Sequence, residues 1–291
     1  MSHLFPALTT PIQSWLTMAS ELLPDSPSAK LDMEVLLCHV LQVNRTYLYT
    51  WPEKSLTEAQ YSKLTGLLRE RQQGHPVAHL TGVREFWSLP FKVSPTTLIP
   101  RPDTEVLIEW ILDRYAEKSL LSVLDLGTGT GAIALALAYE KPQWSVVACD
   151  RVSEAVQLAR ENAEALGLQR VTVVESDWFS ALGQASFDLI VSNPPYIPAS
   201  DPHLSEGDVV FEPSSALVSG EDGLQDIRKI VSESRRHLAE QGCLIIEHGY
   251  DQAEAVQAIF TAQGFVKVAS GKDYGSQDRF TFGWVYGEEH G

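Results

Sequence analysis

The chain has 291 residues, 44% hydrophobic and 21% charged, the make-up of an ordinary globular protein with room for two domains. Its 22 Lys and Arg stand against 38 Asp and Glu, and the resulting net charge of −16 makes a phosphate backbone a poor partner. No apolar run reaches the roughly 18 residues of a membrane span. The start lacks a secretory pattern, and Cys38, Cys149 and Cys243 are too scattered for a disulfide framework or zinc spacing, so a cytoplasmic setting is expected.

Residues 1–73 are predicted to form a small all-α bundle of three or four helices. Leu31, Val35, Leu36 and Val40 recur at helical spacing, as do Leu56, Tyr61, Leu64, Leu67 and Leu68, with Pro11, Pro24, Pro27 and Pro52 between the runs. Residues 74–98 read as a connector. Their Thr, Val, Phe and Trp, with Leu89-Pro90 in the middle, predict two short strands in a hairpin. From 99 to 291 strands and helices alternate. Strands are expected at 121–124, 146–149, 171–174, 189–191 and 244–246. Helices are expected at 132–139, at 153–166 with Ser153 as its cap, and over Leu224, Ile227, Ile230, Val231 and Leu238. Such alternation predicts an α/β fold, a doubly wound, mostly parallel, Rossmann-like sheet with helices on both faces.

Two motifs fall at strand ends in this region. Asp125-Leu126-Gly127-Thr128-Gly129-Thr130-Gly131 joins the first strand to its helix. Glycines there allow a tight turn and a close approach of ligand to backbone. Nineteen residues after Gly131, Asp150 ends the next strand, where a carboxylate can accept hydrogen bonds from ribose hydroxyls. Gly127, Gly129 and Ala132 also fit a dinucleotide fingerprint, so the loop alone leaves dinucleotide and S-adenosylmethionine open. Asp125 leans toward the second, since a carboxylate disfavours a pyrophosphate and suits an ammonium. The other reading of Asp125 is a bond to loop amides.

Asn193-Pro194-Pro195-Tyr196 follows the strand at 189–191. Two prolines remove two backbone donors and stiffen the chain. A rigid array of acceptors is left, made of the Asn193 side-chain oxygen and neighbouring carbonyls. A planar NH₂ group has two donors, so two fixed acceptors orient it, and the Tyr196 ring can pack on the same plane. Placement and carbonyl dipoles then carry the catalysis, and no dedicated base is required. The alternative is an ordinary surface turn.

Together, Asp125–Gly131 and Asn193–Tyr196 resemble the class I S-adenosylmethionine-dependent methyltransferases that modify amino or amide nitrogens. With Leu80–Trp87, Leu98–Glu105 and Glu247-His248-Gly249 added, the chain resembles the bacterial peptide chain release factor glutamine methyltransferases over nearly its whole length. The resemblance implies S-adenosylmethionine as cofactor, lined by Gly127, Thr128, Gly129, Thr130, Gly131, Asp150, Trp178 and Asn193. It implies that Asn193, Pro194, Pro195 and Tyr196 bind the glutamine of a Gly-Gly-Gln loop in class I release factors, with Asn193, Pro194 and Tyr196 catalytic. It also implies that the helical domain grips the protein substrate, and a monomer is expected.

Trp178 lies against the adenine on this reading, or is simply a core aromatic. Arg101 either orients substrate or forms an ion pair. His75 and His79 have helical spacing, but Pro76 argues against a helix and no third metal ligand is apparent. His248 is expected to be structural. Competing functions are glutamine methylation of a large-subunit ribosomal protein, methylation of a nucleic-acid amino group, and nicotinamide-dependent oxidoreduction. The last leaves Asn193–Tyr196 unexplained.

Overall fold

The computed structural model describes residues 5–285, and the chain divides into two compact units, Met1–Gly82 and Val83–Gly291. No helix among the described residues is long and apolar enough to cross a membrane.

The first unit is helical: α1 Ile12–Thr17, α2 Ala19–Leu22, α3 Ala29–Leu41, α4 Arg45–Thr50, α5 Glu58–Gln72 and α6 Val77–Thr81. Local signals start two of these. Asn44 caps α4 through its side-chain oxygen, and Thr57 with Gln60 forms a reciprocal capping box at α5. Trp15, Met33, Leu36, Leu37, Leu48, Leu64 and Leu68 are fully buried together. The buried stripe of α3 is Met33, Leu36, Leu37 and Val40, whereas Leu31 and Val35 are 49% and 38% exposed. The helix carries two apolar stripes, and packing chose the one with more side chains on it. Pro76 precedes α6 rather than preventing it, in keeping with proline's tolerance at a helix start. The unit therefore runs to Gly82, beyond the expected boundary at 73.

The second unit opens with a hairpin, β1 Val83–Phe86 against β2 Leu89–Lys92. Its turn is Trp87-Ser88, both at positive φ (53° and 57°), not Leu89-Pro90. Pro90 lies within β2 opposite Glu85, on a two-stranded ladder where a missing donor costs little. Phe86, Leu89 and Phe91 are buried in the core of this unit, so the hairpin is part of it rather than a free connector.

A seven-stranded sheet follows, comprising β3 Ser122–Leu126, β4 Ser145–Asp150, β5 Thr172–Glu175, β6 Phe187–Ser192, β7 Leu238–Glu247, β8 Val266–Lys272 and β9 Asp278–Trp284. The order is β5-β4-β3-β6-β7-β9-β8, with β9 antiparallel to both neighbours and the remaining pairs parallel. Helices α7 Glu105–Arg114, α8 Ala132–Glu140, α9 Ser153–Ala165, α10 Gln225–Ser234 and α11 Ala253–Ala262 cover it. Alternate residues feed two separate cores. Val123, Leu189, Val191 and Ile245 pack in one with residues of α7, α8 and α9. Leu124, Leu126, Ile190, Leu244 and Ile246 pack in the other with residues of α10 and α11. Strands buried on both faces read as continuous apolar runs, which is why they were legible.

Two expectations change here. Ser153 does not cap α9; its hydroxyl donates to Glu175 at 2.6 Å, while Asp150 Oδ1 takes the Val152 amide at 3.0 Å. Leu238 opens β7 instead of ending α10.

One buried polar residue joins the hairpin to the sheet. Asn162 is fully buried on α9, on the stripe that carries Ala155, Ala159 and Ala163. Its Oδ1 accepts the Lys92 amide at 2.8 Å, and its Nδ2 donates to the Lys92 and Thr130 carbonyls at 3.0 and 2.9 Å. The side chain thus extends β2 like a partner strand and steadies the end of the glycine loop. Asn162→Ala orphans these groups at roughly 1–3 kcal/mol each where they are buried. Thermal denaturation should show Tm falling by about 4–10 °C, and an unchanged Tm would contradict the bridge.

Candidate active site

Strands β3 and β6 are neighbours in parallel register, with Leu126 beside Ser192. They lie where the strand order reverses, the place at which open α/β sheets bind ligands. The glycine loop leaves one strand and Asn193-Pro194-Pro195-Tyr196 leaves the next. Ser192 Oγ donates to the Leu126 carbonyl at 2.8 Å, joining the two exits.

A cleft whose empty space, open solvent included, is about 930 Å³ lies at these ends. Of the residues expected in the site, Gly127, Thr128, Gly129, Thr130, Asp150, Trp178, Asn193 and Pro195 line it. Gly131, Pro194 and Tyr196 do not. Gly131 starts α8 at φ 85°, where an added Cβ would press on Leu135 and Ala159, so its part is close helix packing. Pro194 is buried. Tyr196 turns toward the core, with its hydroxyl 3.4 Å from Glu247 Oε1. Burial, and then the Glu247 charge, push the Tyr196 phenol well above its ordinary range.

The loop is shaped by backbone bonds to the next strand. The amides of Gly127 and Thr128 both donate to the Cys149 carbonyl at 2.9 Å, and the Gly129 amide donates to Asp150 Oδ2 at 2.9 Å. Positive φ at Gly127 (70°) and Gly129 (53°) makes this path accessible without strain. Cys149 contributes its carbonyl. Its buried thiol is pushed up to about 12, chiefly by desolvation, which leaves it unreactive.

Asp125 lies under the loop and not in the cleft. It is 1% exposed, and its Oδ2 accepts from the Thr128 hydroxyl at 2.6 Å and the Ala134 amide at 3.1 Å. Of the two sequence readings, the structure displays the bond to the loop and helix start. Burial raises its pKa to about 7, against the pull of those two bonds.

The walls offer carboxylate acceptors and an aromatic face that suit an adenosyl group. Asp150 spends one acceptor site of each oxygen on Gly129 and Val152 and keeps others for hydroxyls. Trp178 is 7% exposed, and its ring packs against Gly127, where a Cβ would come within 3.3 Å. It is held at φ 51° by Ser176 and Cys149, which both donate to its carbonyl. It is therefore both a core aromatic and a wall of the cleft. Thr97, another wall residue, has a buried hydroxyl oxygen with no partner among the described residues.

On the acceptor side, Asn193 Nδ2 donates to Thr104 Oγ1 at 3.2 Å. Thr104 ends the 3₁₀ turn Pro102–Thr104 and is buried. That bond assigns the Asn193 nitrogen to the protein and leaves its oxygen available. Arg101 lines the cleft and is paired with buried Glu212, which also accepts the Ile99 amide at 2.9 Å. Burial raises the Glu212 pKa, opposed by Arg101. His248 is buried between the Gly249 carbonyl (2.8 Å) and Thr281 Oγ1 (2.9 Å), and burial lowers its pKa, so it is a neutral strand link. The sequence reading did not single out Thr97, Thr104, Asn162 or Glu212. Thr104 fell inside a quoted motif, and Asn162 showed itself only as a polar residue on an apolar helical stripe.

The chain is similar to known proteins over most of its length. Residues 14–82 match the family model described as PrmC N-terminal domain, and residues 102–219 match the methyltransferase small domain. The chain is 53% identical over 271 residues to a release factor glutamine methyltransferase of Salmonella typhimurium, covering 93% of this chain and 98% of that protein. It is 54% identical over 261 residues to the protein of that name from Pseudomonas aeruginosa, covering 90% and 94%. Among solved structures, a methyltransferase from Pyrococcus furiosus shares the fold at a TM-score of 0.52 and 18% identity, covering 77% of this chain and 98% of that one. The chain belongs to the release factor glutamine methyltransferase family.

Proposed function

We propose that the chain transfers a methyl group from S-adenosylmethionine to the side-chain amide nitrogen of the glutamine in the Gly-Gly-Gln loop of class I peptide chain release factors. The observation that carries this reading is the Thr104-anchored amide of Asn193, one strand away from the glycine loop. In this reading the enzyme works in the cytoplasm as a monomer, without contacting nucleic acid, and the helical unit helps to grip the release factor.

S-adenosylmethionine, when bound, supplies an electrophilic methyl carbon; the residues of the chain place the acceptor. Gly127–Thr130, Asp150 and Trp178 would hold the cofactor, Asp150 offering its spare acceptor sites to the ribose hydroxyls and Trp178 its ring to the adenine. Asn193 Oδ1 accepts one N–H of the substrate amide. The second goes to a main-chain carbonyl of the corner, where those of Pro194 and Pro195 receive no hydrogen bond from another described residue. The Tyr196 carbonyl is not available, because Gln252 Nε2 already donates to it at 3.0 Å.

A planar amide nitrogen is a weak nucleophile because its lone pair is delocalised. Holding both hydrogens leaves one face of the nitrogen exposed, and the carbonyl dipoles favour the positive charge that develops there. Orientation of this kind is worth up to roughly 7–11 kcal/mol over a bimolecular encounter. The methylated nitrogen then sheds a proton to solvent, so the absence of an acid–base residue within the motif is no obstacle. The remaining feature of the motif is rigidity. Two prolines and the Ile197 amide, which donates to Leu217 at 2.8 Å, hold the corner still.

Three outcomes are expected. With methyl-labelled S-adenosylmethionine, label should appear on an intact release factor and be absent from one whose loop glutamine is alanine. Label instead on the large-subunit ribosomal protein or on DNA would overturn the substrate assignment. Asn193→Ala should lower turnover by roughly 10²–10³-fold, the scale for removing one preorganised dipole, with a cooperative melt retained. Asp150→Ala should weaken cofactor binding in calorimetry by about 10–100-fold, as hydrogen bonds to charged groups contribute about 1.5–3 kcal/mol. Unaltered affinity would remove Asp150 from the site.

A further inference from the structure

Beyond the acceptor corner the chain makes an excursion before it returns to the sheet. Ile197 and Val218 form a parallel bridge at its base. There the Ile197 amide donates to the Leu217 carbonyl at 2.8 Å, and the Ser219 amide to the Ile197 carbonyl at 3.0 Å. Residues 198–217 pass through three short 3₁₀ turns, Pro202–Ser205, Gly207–Phe211 and Ser214–Ala216, none of which has a buried residue. Within 198–216 only Glu212 is buried. The inner anchor of this strap is thus a carboxylate and not an apolar side chain.

The strap is tied to both rims of the cleft. On one rim, Glu212 pairs with Arg101 and accepts the Ile99 amide at 2.9 Å. On the other, the Ser215 carbonyl accepts from Arg151 Nη2 at 3.4 Å, and Arg151 directly follows Asp150 at the end of β4. Arg101, Arg151, Ser215 and Ala216 all line the cleft. One segment therefore supplies a wall of the cleft while holding on to two others.

We propose that residues 198–217 are a lid on the cofactor cleft, and that Glu212 is the positioning residue that latches it through Arg101. This rests on the reading of the cleft as the S-adenosylmethionine site. Segments that bury few apolar groups open locally at low free energy, and the span of the strap buries none. The nature of the anchor acts in the same direction. A carboxylate and a guanidinium give up hydration when they pair and regain it when they part, so the net hold is weaker than their attraction. An apolar anchor would be driven back by water each time it opened. The charged latch is specific about where it closes and easy to release. Arg101 is itself a wall of the cleft, so the latch engages beside the space the cofactor would fill. Ile197 follows Tyr196 directly, and its bonds at the base keep the acceptor corner in place while the span moves. Spent cofactor has to leave after each transfer, and lid opening commonly governs such a step.

Stopped-flow release of S-adenosylhomocysteine from the full chain, with hydrogen exchange read at the strap amides, tests the lid. Glu212→Gln keeps the shape and loses the charge that Arg101 holds. Release should quicken by about 10–100-fold, the scale for losing a hydrogen bond to a charged group. Exchange should rise across 198–217 while β3, β4 and β6 stay protected, a local change that general loss of stability would not give. Arg101→Ala should also quicken release. Combined with Glu212→Gln it should release no faster than the faster single variant, because the two side chains form one latch. If Glu212→Gln does not fold, the wild-type chain carries the test, since saturating S-adenosylhomocysteine should slow exchange of the strap. Wild-type release and exchange in Glu212→Gln, additive effects of the two substitutions, or strap exchange unaffected by S-adenosylhomocysteine would overturn the lid. Binding of S-adenosylhomocysteine to the wild type separates the failures. If it binds and the strap does not respond, the lid alone is wrong; if it does not bind, the cofactor reading falls and the lid with it.

Discussion

The site depends on the parallel hydrogen bonding of β3 and β6 with Leu126 and Ser192 in register. Chains leaving two adjacent parallel strands at the same end begin a single strand spacing apart, about 4.8 Å. The glycine loop and the Asn193 corner are therefore brought together by backbone bonds in a buried sheet, before any side chain acts. A slip of one residue would send the apolar side chains of a strand to the wrong face, and both cores would oppose it. A reaction whose catalysis is mostly placement needs a frame of this stiffness.

The two halves of the site reach rigidity by opposite means. The glycine loop uses residues free to adopt positive φ, so its amides can turn onto the Cys149 carbonyl and the Asp150 carboxylate. The corner at 193–196 uses prolines, which remove both freedom and donors. Behind each stands a buried acid: Asp125 under the loop and Glu247 behind the corner. Burial raises the pKa of both. Each accepts from a hydroxyl, Asp125 from Thr128 and Glu247 from Tyr196, so that a buried acid orders a neutral group beside it. A third buried acid, Glu212, pairs with Arg101 of the cleft wall and also holds the Ile99 amide.

Much of the fold was legible because apolar runs and glycine or proline punctuation are local properties. The five parallel strands, α8, α9 and the loop at 127–131 announced themselves in this way, and so did the proline corner. Helices α7 and α11 and strands β8 and β9 did not, although each carries apolar residues. The face of α3 was misjudged at Leu31 and Val35, since two stripes on one helix can be told apart only by what packs on them. Ser153 had the chemistry of a cap, but a partner on another strand, Glu175, took its hydroxyl.

By itself, then, the sequence determined the composition of the site: a donor loop, an acceptor corner and the chemistry each permits. Residue type and spacing suffice for that, because backbone freedom and hydrogen-bonding capacity belong to the residues themselves. Direction was decided only by tertiary structure. It turned Asp125 away from the cleft and Tyr196 toward Glu247, and it brought Thr104 to Asn193 across 89 positions of the chain. A side chain has several staggered orientations of similar energy, and the groups that select among them come from elements distant in the chain.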